Sequence, residues 1–233
     1  MKIGFIGVGN MAKAIIQGWL KTKAVNPEEI IIHSKHPANY QKYAVENHLQ
    51  AVESNQAVVE QTDIVFLAVK PQVVESVLAE LRETFQRVKP IIVSMVTGFS
   101  IKQIQSSLNI ADLEILRIMP NVNVEIAAGM TALAPNKQLA KEHLKICKDL
   151  LNSLGKTLEI PENDFSVFVA LAGSSPAFVY FFIDAMSRAG VKYGFSKSQA
   201  TEIAAQAVLG KGCLLPFGGV ACLLCLVLGV ARW

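Results

Sequence analysis

The sequence predicts an α/β protein in which a doubly wound, largely parallel sheet precedes a small all-helical domain. Over the first 160 residues, short apolar strand-like runs alternate with amphipathic helical stretches, which is the pattern of βαβ units. After Pro161 this alternation stops and only helical stretches follow. We therefore expect a sheet domain over residues 1–160 and a helical domain over residues 161–233.

The strands are predicted from short apolar runs, several of them continuous, as expected for strands buried on both faces. They are Lys2 to Gly7 and then "IIIHS", "DIVFLAV", "PIIVSMV", "EILRIMPN", "MTALAPN" and "KTLEI". Helices are predicted from Met11, over Tyr40–His48, over Asn55–Glu60, from Pro71, and over Gln138–Leu154. Pro71 suits the first turn of a helix, where its missing N–H costs nothing. In the later domain, "DFSVFVALAG", "SPAFVYFFIDAMSRAG" and "SKSQATEIAAQAVLG" are three further helical stretches.

Composition excludes several classes of protein. Charge is nearly balanced at +3 over 233 residues, and no basic run indicates a nucleic-acid partner. Four cysteines in a chain of this length do not form a disulfide framework. We expect a reduced, cytoplasmic protein.

The last segment is different in character. From Gly212 to Ala231 there is no charged residue, which meets the length test for a membrane span. Pro216 and the Gly218–Gly219 pair fit a membrane span poorly. Three interpretations stay open for this tail from about residue 210: a shifted reading frame, a membrane anchor or an unusual core helix. A membrane is therefore not expected as a partner, but the tail leaves it open.

The turn "GFIGVGNMA" carries the motif Gly7-x-Gly9-x-x-Ala12 between a predicted strand and a predicted helix. In this context Gly7 permits a tight turn and Gly9 lets the backbone approach a pyrophosphate. Ala12 is small enough for close helix–strand packing. The first N–H groups of the helix would then face the phosphates. The sheet domain is accordingly predicted to be Rossmann-like and to bind a dinucleotide.

The residues at the end of the second predicted strand indicate whether the dinucleotide is NADH or NADPH. An acidic residue is expected there when the ribose 2′-hydroxyl is read, and the sequence offers Ser34 and Lys35 instead. A hydroxyl and a positive charge suit a 2′-phosphate, so the sequence favours NADPH, with NADH also possible. A solvated surface loop is the alternative for these residues.

Four separated motifs carry a family resemblance: "GFIGVGNMAKAI", "DIVFLAVKPQ", "LRIMPNVN" and "ALAGSSPAFVYFFIDAM". In this order and spacing the chain resembles pyrroline-5-carboxylate reductase from Met1 to about Leu209. The resemblance implies reduction of 1-pyrroline-5-carboxylate to L-proline with NAD(P)H, the last step of proline biosynthesis. It also implies a homodimer or higher homo-oligomer if the helical domain is intact.

The resemblance assigns the cofactor site to residues at the predicted carboxyl ends of strands, where open α/β sheets bind ligands. The implied set is Ile6, Gly7, Val8, Gly9, Asn10, Met11, Ser34, Lys35, Asn55, Ala68, Val69, Lys70, Pro71, Met95 and Thr97.

For the substrate, the resemblance indicates Asn121, Ser174 and Ser175. Ser175 can cap a helix that begins at Pro176, and such a helix start attracts a carboxylate. Asn121 is a candidate hydrogen-bond donor to the substrate. Arg117 precedes it on the strand and is equally suited to be a structural ion-pair partner. No catalytic acid or base is assigned, because the cofactor carries the chemistry of hydride transfer. No metal is expected, since Cys222-Leu-Leu-Cys225 lies in an apolar run without a second ligand pair.

The sequence departs from the family pattern near Gly210. The family's "SPGGTT"-type loop, which contributes to the carboxylate site, does not follow there. Two alternatives to the reductase stay open: a catalytically impaired cofactor-binding remnant, and a related β-hydroxyacid or imine reductase.

Overall fold

The computed structural model describes residues 1–214, with the side chains of Asn39 and of residues 211–214 excepted. Eight strands form one sheet in the order β3-β2-β1-β4-β5-β6-β7-β8. All neighbours are parallel except β6 and β7, which are antiparallel. The strands are β1 Ile3–Ile6, β2 Ile30–His33, β3 Gln50–Ala51, β4 Ile64–Leu67, β5 Ile91–Ser94, β6 Ile115–Pro120, β7 Gly129–Pro135 and β8 Gly155–Glu159. The predicted doubly wound, largely parallel sheet is confirmed.

Helices connect these strands, and further helices follow β8. The α-helices are α1 Asn10–Thr22, α2 Pro37–Glu46, α3 Asn55–Gln61, α4 Pro71–Val88, α5 Ile101–Leu108, α6 Lys141–Asn152, α7 Phe165–Phe168, α8 Ser175–Lys192 and α9 Lys197–Leu214. Short 3₁₀ helices occupy Pro27–Glu29, Val122–Ile126 and Glu162–Asp164, and a π-helical turn occupies Val169–Gly173. The apolar tail from about residue 210 lies almost wholly outside the described residues.

The alternation of side chains along each strand supplies both faces of the sheet with a core. In β2, Ile30 and Ile32 enter one apolar cluster and Ile31 enters the opposite one. All three are fully buried. Each cluster also takes in the apolar faces of helices, including Trp19 on one side and Leu78 on the other. Helices on both faces explain why the strand sequences are apolar without a polar alternation.

The chain divides into two compact units, Met1–Ser174 and a second that begins at Ser175. Residues 161–174, which the sequence analysis assigns to the helical domain, therefore cluster with the sheet. Phe165 and Phe168 bury their rings against Met119, Ala132 and Ala134 of β6 and β7.

In the second unit, α8 packs against α9, and the apolar side chains of α8 are largely exposed. Phe178, Tyr180, Phe181 and Phe182 are all more than half exposed. Among the described residues, one helical stretch, Glu162–Lys192, is long and apolar enough to cross a membrane by length and composition. A single helix of this kind does not define a membrane protein, because the core helix of a soluble protein passes the same test.

Candidate functional site

A cleft of 720 Å³ opens at the carboxyl ends of β1, β2 and β4. The parallel register brings these three strand ends to one edge of the sheet, next to the start of α1. Of the predicted cofactor residues, nine line the cleft: Gly7, Val8, Gly9, Ser34, Lys35, Asn55, Ala68, Val69 and Lys70. Residues far apart in the chain are thus brought together as the sequence analysis expects.

Gly7 makes the tight turn that leaves β1. Its φ angle is +94°, in the region that favours glycine. A Cβ atom at this position would lie 2.7 Å from the carbonyl oxygen of Ala68. The Gly7 N–H donates to the carbonyl oxygen of His33 at 2.9 Å, which holds the exits of β1 and β2 together.

Gly9 leaves open space in front of α1. A Cβ atom added to Gly9 would meet no atom within 4 Å. Gly9 is the N-cap residue of α1 and supplies no side-chain acceptor, so the first N–H groups are not capped by a side chain. The first turn of α1 also contains no acidic residue. The helix therefore presents free donors and the positive end of its dipole to the cleft, an arrangement that suits a diphosphate.

The exit of β2 is held by a short polar network. The Nδ1 atom of His33 lies 2.7 Å from Oδ1 of Asn55, the first residue of α3. The His33 ring also meets the Tyr40 ring edge-on at 5.3 Å. Beyond His33, Ser34 is half-buried and Lys35 is exposed on the rim of the cleft.

The cleft also contains residues that the sequence analysis does not identify. Val73, Ser76, Val77 and Glu80 form one face of α4, and Glu53 follows β3. The spacing of the α4 residues at i, i+3, i+4 and i+7 is a signal available in the sequence once Pro71 is known to start a helix. Glu53 carries no comparable signal, because it reaches the cleft only through the pairing of β3 with β2.

Six other predicted cofactor residues lie near the cleft without lining it. Ile6 is fully buried in β1, and Asn10, Met11 and Pro71 begin helices at the strand exits. Met95 and Thr97 follow β5, and the Met95 N–H donates to the carbonyl oxygen of Leu67 at 3.1 Å. This bond places the β5 exit next to that of β4.

The exit of β6 differs, because its polar side chains bond within the protein. Asn121 is buried; its Nδ2 donates to the carbonyl oxygen of Ala172 at 3.0 Å, and its Oδ1 accepts from the Met130 N–H at 3.1 Å. Arg117 pairs with Glu162 at 2.8 Å and lies over the Phe165 ring.

The two predicted substrate serines stand where the π-helical turn leads into α8. Ser174 is exposed, and its N–H donates to the carbonyl oxygen of Val169 at 2.9 Å. Ser175 is half-buried and is the first residue of α8, one residue earlier than the predicted helix start at Pro176.

Among residues 1–214, no cluster of His, Cys, Asp and Glu side chains has the composition of a metal site. Cys147 is buried in α6, and burial together with the nearby Glu114 charge raises the pKa of its thiol to about 12. That thiol is therefore not poised as a nucleophile.

Comparison with known proteins agrees with this geometry. Residues 2–98 match the family model described as NADP oxidoreductase, coenzyme F420-dependent. Residues 162–220 match the model for pyrroline-5-carboxylate reductase dimerisation, which extends past the point near Gly210 where the sequence analysis ends the resemblance.

Individual relatives are similar over most of their length. The chain is 37% identical to pyrroline-5-carboxylate reductase of Aquifex aeolicus, covering 92% of this chain and 78% of the relative. The Escherichia coli enzyme is 36% identical, with 90% and 77% covered.

Two solved structures of the same enzyme share the fold. The Streptococcus pyogenes reductase superposes with a TM-score of 0.83 at 40% identity, covering 94% of this chain and 80% of that one. The Plasmodium falciparum enzyme, solved with NADP bound, gives a TM-score of 0.84 at 26% identity, covering 94% and 79%.

The fold and the glycine-lined cleft define an oxidoreductase that uses a nicotinamide dinucleotide. Its relatives narrow this class further. The chain belongs to the pyrroline-5-carboxylate reductase family.

Proposed function

We propose that this protein reduces 1-pyrroline-5-carboxylate to L-proline with NAD(P)H, the last step of proline biosynthesis. The observation that carries the proposal is the cleft at the β1, β2 and β4 exits, in which Gly9 leaves room at the uncapped start of α1. A dinucleotide diphosphate has the charge and size that this space requires. The substrate follows from membership of the family.

The predicted cofactor residues divide the cleft between the parts of the dinucleotide. The turn from Gly7 to Gly9 would hold the diphosphate, and Ser34, Lys35 and Asn55 would hold the adenosine half. Ala68, Val69 and Lys70 at the β4 exit would flank the nicotinamide half. When bound, the cofactor supplies the hydride, and the protein contributes orientation and exclusion of water.

The substrate needs orientation more than acid–base help. A protonated cyclic imine is already electrophilic, so the protein has to hold its C5 atom at contact distance from the hydride donor. We assign the substrate carboxylate to Ser174 and Ser175, whose hydroxyl groups stand where the π-helical turn leads into α8. No catalytic acid or base is named.

NADPH is the proposed preferred cofactor. Lys35 is exposed on the cleft rim beside Ser34, where its charge would contact a 2′-phosphate. Glu53 also lines the cleft, and its negative charge would not attract that phosphate. We therefore expect NADH to be usable as well. We expect Lys35→Asp to raise the KM for NADPH by about tenfold or more, the effect of roughly 1.4 kcal/mol, and to leave the KM for NADH nearly unchanged.

Lys23→Asp is a matched control, since Lys23 lies at the other end of α1 from the cleft. Equal losses with both cofactors in the Lys35 variant would contradict the assignment of Lys35 to the 2′-phosphate.

The helical region is proposed to form a homodimer or higher homo-oligomer, in accord with the dimerisation model that matches residues 162–220. The exposed aromatic side chains of α8 give such an interface its apolar area. We further propose that the enzyme acts in the cytoplasm, where both nicotinamide cofactors are available.

A steady-state assay with pyrroline-5-carboxylate and each nicotinamide cofactor tests the function. Proline formation, with oxidation of one cofactor molecule per proline, is the expected result. Cofactor binding without turnover would overturn the reductase and favour the cofactor-binding remnant. Calorimetry on the same sample separates that outcome from loss of binding.

A further inference from the structure

One face of β6 is occupied by a helical segment that comes 45 residues later. Because alternate residues of a strand point the same way, Arg117, Met119 and Asn121 share this face. Arg117 contacts Glu162 and Phe165, Met119 packs in one cluster with Phe165 and Phe168, and Asn121 contacts Ala172. The contacts follow the same order in both segments, so the helical segment runs in the same direction as the strand.

The lengths of the two segments also agree. The four residue-to-residue steps of extended chain from Arg117 to Asn121 cover roughly 13 Å at about 3.3 Å per residue. The ten steps from Glu162 to Ala172 cover roughly 15 Å at about 1.5 Å per residue of helix. The helical segment therefore lies along β6, with a polar attachment at each end and apolar rings between them.

The two attachments have different partners. At the first, Oε1 of Glu162 accepts from Arg117 and also from the Ile101 N–H at 2.8 Å, so it joins three elements. At the second, Asn121 uses both ends of its amide on main-chain groups, at 3.0 Å to Ala172 and 3.1 Å to Met130. A buried amide with two main-chain partners fixes backbone positions and is costly to disturb.

The second attachment acts on an irregular turn. Ala172 lies in the π-helical turn Val169–Gly173, where the Ser174 N–H bonds five residues back to Val169. Such turns are uncommon and occur frequently at functional sites. Ser174 follows this turn directly, so the position of Ala172 determines where Ser174 lies.

We propose that Asn121 is a positioning residue that fixes the π-helical turn and, through it, Ser174, and that it does not itself contact the substrate. This inference rests on the proposed function of Ser174. It assigns to Asn121 a role different from the hydrogen bond to substrate that the sequence suggests. The amide ties the turn to the end of β6, which only β5 separates from β4 and its exit at the cofactor cleft.

The test is Asn121→Asp, which keeps an acceptor for Met130 but replaces the donor to Ala172 with a repelling oxygen. Asn136→Asp is the matched control. Asn136 likewise bonds main-chain groups with both ends of its amide, accepting from Ile115 and donating to the carbonyl of Leu113 at 2.7 Å. It lies at the opposite end of β6, away from the turn.

Two readouts are measured on the full chain. Amide hydrogen exchange of residues 169–174 is expected to accelerate in the Asn121 variant and to stay at the parent rate in the Asn136 variant. The kcat/KM for pyrroline-5-carboxylate is expected to fall by about 100-fold in the Asn121 variant alone, since a misplacement of about 1 Å costs that much. The Kd for NADPH is expected to stay unchanged in both.

Unchanged exchange over residues 169–174 in the Asn121 variant would overturn the proposal. An equal loss of kcat/KM in the two variants would overturn it too. If the parent protein has no reductase activity, the proposed function fails, while the exchange readout still tests the attachment. If Asn121→Asp does not fold, Asn121→Ala removes the amide that donates to Ala172 without adding charge and is judged by the same outcomes.

Discussion

The exits of β1, β2 and β4 and the exit of β6 lie on the same edge of the sheet, yet their polar groups differ. At the first three exits, the first N–H groups of α1 have no side-chain cap and Lys35 is exposed. At the β6 exit, Asn121 is buried, and both ends of its amide bond main-chain groups. Arg117, earlier in the same strand, pairs with Glu162.

This difference separates groups that are available to bind a ligand from groups that stabilise the protein's own structure. Open donors at a helix start have bonding capacity left for a diphosphate. Buried donors that already have protein partners stabilise positions, and their loss is felt first as instability or misplacement. The two regions therefore predict different consequences for substitution.

The largest expected effect comes from Arg117→Met. It leaves the Glu162 carboxylate, which is only partly exposed, without its ion-pair partner, and we expect a loss of roughly 3–5 kcal/mol of unfolding free energy. Urea unfolding measures this loss. Arg87→Met, which breaks an exposed pair with Glu60, is the matched control and is expected to change stability little.

The double variant Arg117→Met with Glu162→Gln should recover part of that stability, because no carboxylate is then left unpaired. An Arg117 variant as stable as the parent would show that this strand face is not held by the ion pair.

A smaller effect is expected for Gly7→Ala. The side chain would meet the Ala68 carbonyl oxygen and adopt a φ of +94°, at a cost of roughly 1–3 kcal/mol. Gly9→Ala is the control, since the position has an extended backbone and free space. Melting temperatures should therefore fall in the first variant and stay near the parent value in the second. A fall of equal size in both would remove the distinction between the two glycines.

At neutral pH the smallest effect concerns the ionisation of Cys147, a buried group that faces no ligand. Its folded-state pKa is raised to about 12 from an ordinary value of 9.0, first by burial and then by Glu114. The unfolded thiol therefore loses its proton first as pH rises. The contribution of Cys147 to stability is complete below pH 9.0 and is lost between there and about pH 12.

Within that range, the free energy of unfolding is expected to fall by roughly 1.4 kcal/mol per pH unit. Urea unfolding of the parent and of Cys147→Ala at pH 8.0 to 10.5, on about half-unit steps, isolates this slope from other titrating groups. The same pH dependence in both proteins would contradict the raised pKa.

Most of the sheet could be predicted because its strands are continuous apolar runs. β3 escaped prediction, since Gln50–Ala51 is two residues long and contains no apolar run. α5 was also missed, although Ser100 and Gln103 form a capping box that signals its start.

The candidate site could be predicted where its chemistry is local. The roles of Gly7, Gly9 and Ala12 could be predicted because the turn, the space for the phosphates and the helix–strand packing all depend on adjacent residues. Arg117 and Asn121 could not be interpreted in the same way. Their partners, Glu162 and Ala172, are 45 and 51 residues away and are set by tertiary packing.

Calorimetric titration of NADPH into the parent protein and into Gly9→Val tests the central claim most directly. A Cβ atom at this position would meet no protein atom within 4 Å, so we expect the variant to fold as the parent does and its side chain to fill the space in front of α1. We predict that the parent binds NADPH and that the folded variant does not. Equal binding by both proteins would contradict the assignment of this space to the diphosphate.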